Sequence, residues 1–569
     1  MEVIMIITEM GGKFRVTGSD YALTVSPDLI DVFLAGESVA RLLPASALNM
    51  TTDDNLSCLT DVDGADVRFS ADTDRGVFTW SVKSSLWDEK IYTLACFNDC
   101  AEYFITVKGH GRVDSVEYFL RYDGEGNRLS GQQEFYEGFY PNVFEMGYDG
   151  TYPASKDCDI CSTLTVPPMF FHTFKIAGIK PQLIFALVAE MGEHNFTRLS
   201  YNAGMYLYTD QSGHATVDGQ WTTPKIVIYT ATDNYDAGDR YASLYFDSGI
   251  CPRGDEGSKP RFWYGPIACG WFEQQACQTP DCEWCTWMSK ESLYTDMVRK
   301  LEAKDLHPRI LILDDKWMDK YGTCCASPER WPDLRGFIDR MREKGIHTFL
   351  WYKLWCNEDI PDEYCVWDEK ENTLVCDPTN PGYRELLREV IHRLISSEEG
   401  CYNADGLKVD FAFTQPHGRS VKTYSGKYGA ELLYEYIKLI HDIAKDAKKE
   451  AVINASPSHP IFASLVDQAR LHDYDSKNRR TYEEFVHRAR IWGTALPTSL
   501  IDMDGGAVST NRDVMRFLLG QAKHGIPDLY YVSDFPNFKL TDEEWARVAD
   551  EWKRYSDKCD VLYGKDELL

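Results

Sequence analysis

Residues 406–411 read Gly-Leu-Lys-Val-Asp-Phe, a short run in which Leu407 and Val409 alternate with Lys408 and Asp410. At the two-residue period of a strand, the lysine and the aspartate share one face and the aliphatic pair takes the other. Helical spacing flanks this run on both sides: Leu433, Ile437, Ile440 and Ala444 recur on one helix face downstream, as do Leu334, Phe337, Ile338 and Met341 upstream. The same alternation, traced outward, places strands at 266–271, 310–314, 348–352, 407–411, 451–454, 468–471, 495–501 and 529–532. A last helix is expected from Thr541, which has capping-box spacing to Glu544. Eight strand–helix units predict an α/β fold of the (β/α)8 TIM barrel type. A doubly wound sheet is the alternative, but no glycine-rich dinucleotide loop comes after the first strand.

The first 250 residues have another period. Val77-Phe78-Thr79-Trp80-Ser81-Val82 and Tyr103-Phe104-Ile105-Thr106-Val107 mix alternation with β-branched residues, and turn residues such as Asp123-Gly124-Glu125-Gly126-Asn127 separate such runs. Helical stripes are nearly absent, which predicts a large antiparallel β-sandwich over 1–250. The Gly/Pro/charge-rich stretch 251–260 reads as a linker, and 261–569 as the catalytic barrel with its C-terminal helix.

Composition excludes several classes of function. Of 569 residues, 60 are Lys or Arg and 89 are Asp or Glu, a net charge of −29. Phosphate binding needs a basic face, so no nucleic-acid partner is expected. No window reaches transmembrane length, so no membrane partner is expected either. The start, Met-Glu-Val-Ile-Met-Ile-Ile, has no positive flank, so no signal peptide is expected. Lys-Asp-Glu-Leu near the end is succeeded by a further Leu, one residue past the position of a retention signal. A cytoplasmic location is therefore the expectation, with the 17 cysteines reduced. Only Cys282 and Cys285 have zinc-like spacing within the group Cys269, Cys277, Cys282 and Cys285, and free thiols are the preferred reading. Oligomeric state is left open, a homo-oligomer included.

Barrel enzymes place their chemistry at the C-terminal ends of the strands. There the second strand gives Asp314 and Asp315, the third Trp351 and Lys353, and the fourth Lys408 and Asp410. The sixth gives Arg470 with Asp473 and Asp475 beyond it, and the seventh Asp502 and Asp504. Carboxylates from four strand ends, interleaved with Lys and Arg, suit the hydroxyls of a sugar ring. Two of them would serve as nucleophile and acid/base, a mechanism that asks for no metal and no cofactor. Trp271 and Trp351 are candidates for stacking on the sugar, with core packing open beside that role.

These strand ends resemble glycoside hydrolase family 36, the α-galactosidases and the raffinose synthase-like proteins of plants. The family's Asp-Asp-Gly-Trp is matched by Asp314, Asp315 and Trp317, with Lys316 in place of the glycine. Its Lys-x-Asp is matched by Lys408 and Asp410, and its Val-Asp-x-x-Arg by Val466, Asp467 and Arg470. Asp502 and Asp504, then Tyr531-Val532-Ser533-Asp534, come next in family order. After the eighth strand the sequence continues for only about 35 residues, so the family's separate C-terminal β-domain is not expected within it. The resemblance implies a retaining, exo-acting α-galactosidase with a carbohydrate substrate. Asp410 would be the nucleophile, Lys408 a substrate-binding lysine, and Asp314 and Asp315 the grip on O4 and O6. The family's acid/base falls at position 474, which is Tyr here, so Asp473 or Asp475 takes that role and Asp473 is preferred as nearer the strand. An α-N-acetylgalactosaminidase or galactosaminidase, an α-galactosyl transglycosylase, a family 31 type glucosidase and a non-catalytic sugar-binding protein are the alternatives.

Overall fold

The computed structural model describes residues 5–54, 57–141, 149–161, 167–280, 282, 284–471, 481–504, 514–535 and 538–563. Asp473 and Asp475 lie outside these.

Eight parallel strands form the barrel. They are β1 (Ile267–Cys269), β2 (Ile310–Leu313), β3 (His347–Lys353), β4 (Gly406–Asp410), β5 (Val452–Ala455), β6 (Gln468–Arg470), β7 (Leu500–Asp502) and β8 (Asp528–Leu529). Neighbours pair in the order 7-6-5-4-3-2-1-8. Between β7 and β8 the ring closes through Ile526, whose N–H donates to the Ile501 carbonyl at 2.7 Å and whose carbonyl accepts from Met503 N at 3.1 Å. The strands are short and apolar because helices cover them outside and side chains fill them inside.

The helices obey their sequence pattern. Leu334–Glu343 buries Leu334, Phe337, Ile338 and Met341, and Asp333 caps it by accepting from Gly336 N at 2.9 Å. Gly429–Ala447 buries the stripe through Leu433, Ile437, Ile440 and Ala444. Thr541 and Glu544 make the reciprocal capping box at 2.8 and 3.2 Å, opening the helix Asp542–Tyr563.

Three strands differ from expectation by two residues or more at one end. Ala495 ends the helix Thr481–Ala495, so the seventh strand begins at Leu500 rather than 495. The eighth is only Asp528–Leu529, because Tyr530, Tyr531 and Val532 are buried but past the ladder. Trp271 does not end the first strand; it opens the short helix Trp271–Ala276.

Ahead of the barrel, a six-stranded and a fourteen-stranded sheet, both built of antiparallel pairs, pack around their own core, in which Leu23, Ile30 and Val32 meet Trp80, Tyr92 and Tyr103. This front half also holds a helix that the strand pattern does not announce, Asn234–Phe246. Asp233 caps it, and Ala237, Tyr241 and Tyr245 are its buried stripe.

Candidate active site

Lys408 points into the barrel with a side chain only 3% exposed. Its Nζ donates to Asp314 Oδ2 at 2.7 Å, to Tyr530 OH at 3.1 Å and to Cys269 Sγ at 3.5 Å. Cys269 in turn donates to Asp314 Oδ2 at 3.0 Å. One ammonium thereby ties the ends of β1, β2, β4 and β8. Burial alone would drive this lysine toward neutrality; the facing Asp314 carboxylate reverses that and holds its pKa well above the ordinary value. Burial, with Asp314 adding to it, pushes the Cys269 thiol far up, so it stays protonated as a donor.

Two residues on, Asp410 ends β4 and carries donors on both oxygens. Arg470 Nη2 reaches Oδ1 at 2.6 Å, Phe411 N also reaches Oδ1 at 2.8 Å, and Trp351 Nε1 reaches Oδ2 at 3.0 Å. Arg470 directs its other terminal nitrogen at Asp504 Oδ2, at 2.6 Å. Asp504 is located by its own N–H, which donates to Asp502 Oδ1 at 3.1 Å, and Asn454 Nδ2 holds the second oxygen of Asp502 at 2.7 Å. A guanidinium held between two carboxylates is fixed in direction, and so is the aspartate it meets.

Asp315 has a different partner from its neighbour. Tyr321 OH donates to its Oδ1 at 2.8 Å. Burial pushes its pKa up to about 6, Asp314 and Asp410 add to the rise, and Tyr321 and Lys353 oppose it. Lys353 ends β3 beneath two rings, with its Nζ 4.6 Å from the centroid of Phe411 and 4.8 Å from that of Tyr321.

Most of the strand-end residues expected to converge do so: Asp314, Asp315, Trp351, Lys353, Lys408, Asp410, Arg470 and Asp504 surround one mouth. Trp351 contributes its N–H rather than a ring face, since the side chain is 1% exposed and Trp317 Nε1 donates to its carbonyl at 2.9 Å. Trp271 heads a helix packed on the core. Sequence reasoning did not assign a role here to Cys269, Tyr321, Tyr530 or Asn454. Three of these emerge from the strand-end rule once it is applied to every residue type: Cys269 ends β1, Asn454 lies in β5 and Tyr530 succeeds β8.

The backbone is strained at this mouth. Lys316, Trp355 and Phe411 come just after β2, β3 and β4 with φ of 72°, 62° and 63°. Bulky side chains rarely adopt this left-handed region, and such outliers cluster where surrounding structure over-determines geometry.

Among the described residues no group of three or more His, Cys, Asp or Glu side chains is placed to hold a metal ion. Cys277 and Cys282 instead donate to Glu273 and to the Trp284 carbonyl. No described helix is long and apolar enough to cross a membrane.

Residues 280–436, spanning β2 to β4, match the family model for the TIM-barrel domain of glycosyl hydrolases family 31. Among solved structures, the chain superposes on a family 31 sulfoquinovosidase from E. rectale with a TM-score of 0.59 at 12% identity, covering 94% of this chain and 82% of that one. A family 36 α-galactosidase from Geobacillus stearothermophilus gives 0.52 at 11%, covering 98% and 87%. A family 31 α-xylosidase from a soil metagenome gives 0.56 at 11%, covering 99% and 78%. A comparison with curated protein sequences finds no match. The motif resemblance pointed to family 36, whereas the family model that matches is that of family 31; both families share this architecture. The chain carries a glycoside hydrolase barrel.

Proposed function

We propose that the protein is a retaining, exo-acting α-glycosidase with Asp410 as nucleophile. The observation that carries the reading is the carboxylate at the end of β4, aimed by Arg470 and Trp351 while Lys408 is engaged by Asp314 two residues back. Asp410 attacks the anomeric carbon of a terminal α-linked sugar as a strand-six carboxylic acid, Asp473 or Asp475, protonates the leaving oxygen. The same residue, now a base, draws a proton from water, which releases the sugar from the enzyme. Arg470 and Trp351 hold the attacking oxygens in line, and Asp315 with Lys353 takes ring hydroxyls.

An α-galactoside is the first choice of substrate, because the Asp314–Asp315 pair and the Lys408–Asp410 pair fit the family 36 pattern. An α-glucoside or α-xyloside is the second, favoured by the family 31 match and by the α-xylosidase neighbour.

Aryl α-galactoside, α-glucoside, α-xyloside and α-N-acetylgalactosaminide presented side by side decide the sugar. On whichever is cleaved, Asp410→Ala is expected to lose at least about a thousandfold in kcat, azide or formate to restore part of it, and the first product seen by NMR to be the α-anomer. A β-anomer first, or near-normal turnover by Asp410→Ala, sinks the mechanism.

A further inference from the structure

Fifteen tryptophans are spread along the chain, and among the described residues three are strongly exposed: Trp284 at 65%, Trp287 at 50% and Trp367 at 42%. All three stand on segments that leave the C-terminal ends of barrel strands, the first two after β1 and the third after β3. Tryptophan is the side chain with most to gain from burial, so exposure confined to the catalytic rim calls for a ligand.

Trp284 caps the 3-10 turn Cys285–Met288 and Trp287 lies within it. That turn is tied to the site. Trp287 N donates to the Trp284 carbonyl at 3.0 Å, and Cys285 and Met288 are buried beneath. The next residue, Ser289, donates from Oγ to the carbonyl of Asp314 at 3.2 Å, while Trp331 Nε1 holds the Ser289 carbonyl at 2.9 Å. Arg330 supplies a second tether. Its Nη2 donates to the carbonyls of Lys316 and Met318, at 2.9 and 3.1 Å, just past Asp315. Its guanidinium lies 5.1 Å from the centre of the Trp287 ring. With that face covered, the exposed half of Trp287 is the opposite face.

The geometry points to a stacking platform, built from Trp284 and Trp287, for the leaving-group sugars of an α-linked oligosaccharide. This rests on the α-glycosidase reading. The terminal sugar occupies the mouth between Asp315 and Asp410, and the units beyond the scissile bond leave across the loop after β1. Apolar C–H faces of pyranoses lie on open indole faces, which recognise a sugar ring without demanding one hydroxyl pattern. The natural substrate is then a chain of three or more sugars rather than a disaccharide.

The test compares an α-glycosyl fluoride, whose leaving group reaches no platform, with a trisaccharide bearing the same terminal sugar: raffinose for a galactosyl, maltotriose for a glucosyl enzyme. Trp284→Ala and Trp287→Ala are each expected to lower kcat/KM on the trisaccharide about three- to tenfold, mainly through KM, and to leave the fluoride within about twofold. Equal losses on both substrates, or no loss on either, overturn the platform; the second result is also what a protein partner or a membrane surface at these tryptophans would give. If the parent cleaves no fluoride at all, the α-glycosidase reading has failed instead. Tryptophan-fluorescence titration of the full chain with the trisaccharide then judges the platform alone, which stands if the double variant loses the response and falls if it keeps it.

Discussion

Lys316 occupies a position that the motif resemblance assigns to glycine, and its φ of 72° is the reason a glycine suits it. A side chain in the left-handed region costs about 1–2 kcal/mol. The group that keeps Lys316 there is its ammonium, 3.9 Å from the centre of the Tyr321 ring and 3.5 Å from Glu358 Oε2, contacts worth together about 1 kcal/mol. Lys316→Ala loses those contacts and keeps the strain, so it is expected to cost about 1 kcal/mol in denaturant unfolding. Lys316→Gly loses the same contacts and relieves the strain, so it is expected to lie near the parent, after about 0.4–1 kcal/mol for the freer unfolded chain. A glycine variant less stable than the alanine one would refute the account. At this scale the site was legible where residue type is itself a signal. Asp410, Lys408 and Arg470 stand out at strand ends because charge is costly to bury. Cys269 and Tyr530 do the same positional work yet read as ordinary core residues. Asp473 and Asp475, left open by the tyrosine at the family's acid/base position, lie outside the described residues.

β7 and β8 close the barrel with an unusual pair. Asp528 and Asp502 are both fully buried and face each other across the seam. Burial pushes Asp502 up to about 6, with Asp504 adding to it, and drives Asp528 well above the carboxylate range, with Asp502 next in effect. Two buried carboxyls in contact share one proton, and the protonated partner can then donate to the other. Their pKa values are raised in the folded state, so below about pH 4 they cost the fold nothing, and stability is lost as pH rises through about 6 and beyond. Asp528→Asn puts a permanent donor where the proton sat. Its melting temperature is therefore expected to fall less than the parent's between about pH 5 and pH 8, and to exceed it at the upper end of that window. The same fall in both proteins would show that the pair holds no proton. The element scale also shows where strand reading stopped. Asp528 escapes a reading of the eighth strand because a buried carboxylate has no apolar signature, while Tyr530–Val532 are drawn in because they have one. Between β3 and β4, the hairpin of Cys365–Asp368 and Thr373–Cys376 escapes as well, since it interrupts the strand–helix alternation on which the count of eight depends.

The two halves meet through one sheet buried on both faces. In the strand Lys225–Ala231, Ile226 and Ile228 belong to the sandwich core, while Val227, Tyr229 and Ala231 belong to the core shared with the barrel. Gln182–Val188 divides the same way, with Leu183, Phe185 and Leu187 against Ile184, Ala186 and Val188. Hence these two strands read as unbroken apolar runs rather than as alternation. Polar bonds lock the contact. Tyr241 OH and His459 Nε2 are 2.9 Å apart, Gly192 N donates to Glu431 Oε2 at 3.0 Å, and Tyr428 N donates to Asn195 Oδ1 at 3.0 Å. The loop beyond Asp410 is braced from the same side, by Arg419 on Asp114 at 3.0 Å and by His214 stacked 4.1 Å from Tyr428. A barrel cut free at residue 261 would expose Tyr428, Glu431 and His459 and lose the support of the loop beyond Asp410. At about 1.5–3 kcal/mol for each large apolar side chain, losing Ile184, Val188, Val227 and Tyr229 from the shared core is comparable with the whole net stability of about 5–15 kcal/mol of a folded chain. The full chain is accordingly expected to unfold in one calorimetric transition, with calorimetric and van't Hoff enthalpies in agreement, and fragment 261–569 to show no cooperative transition of its own. Two separated transitions in the full chain, or a fragment that melts sharply, would mean that the front sheets are an appendage and that the barrel holds Asp410 in place unaided.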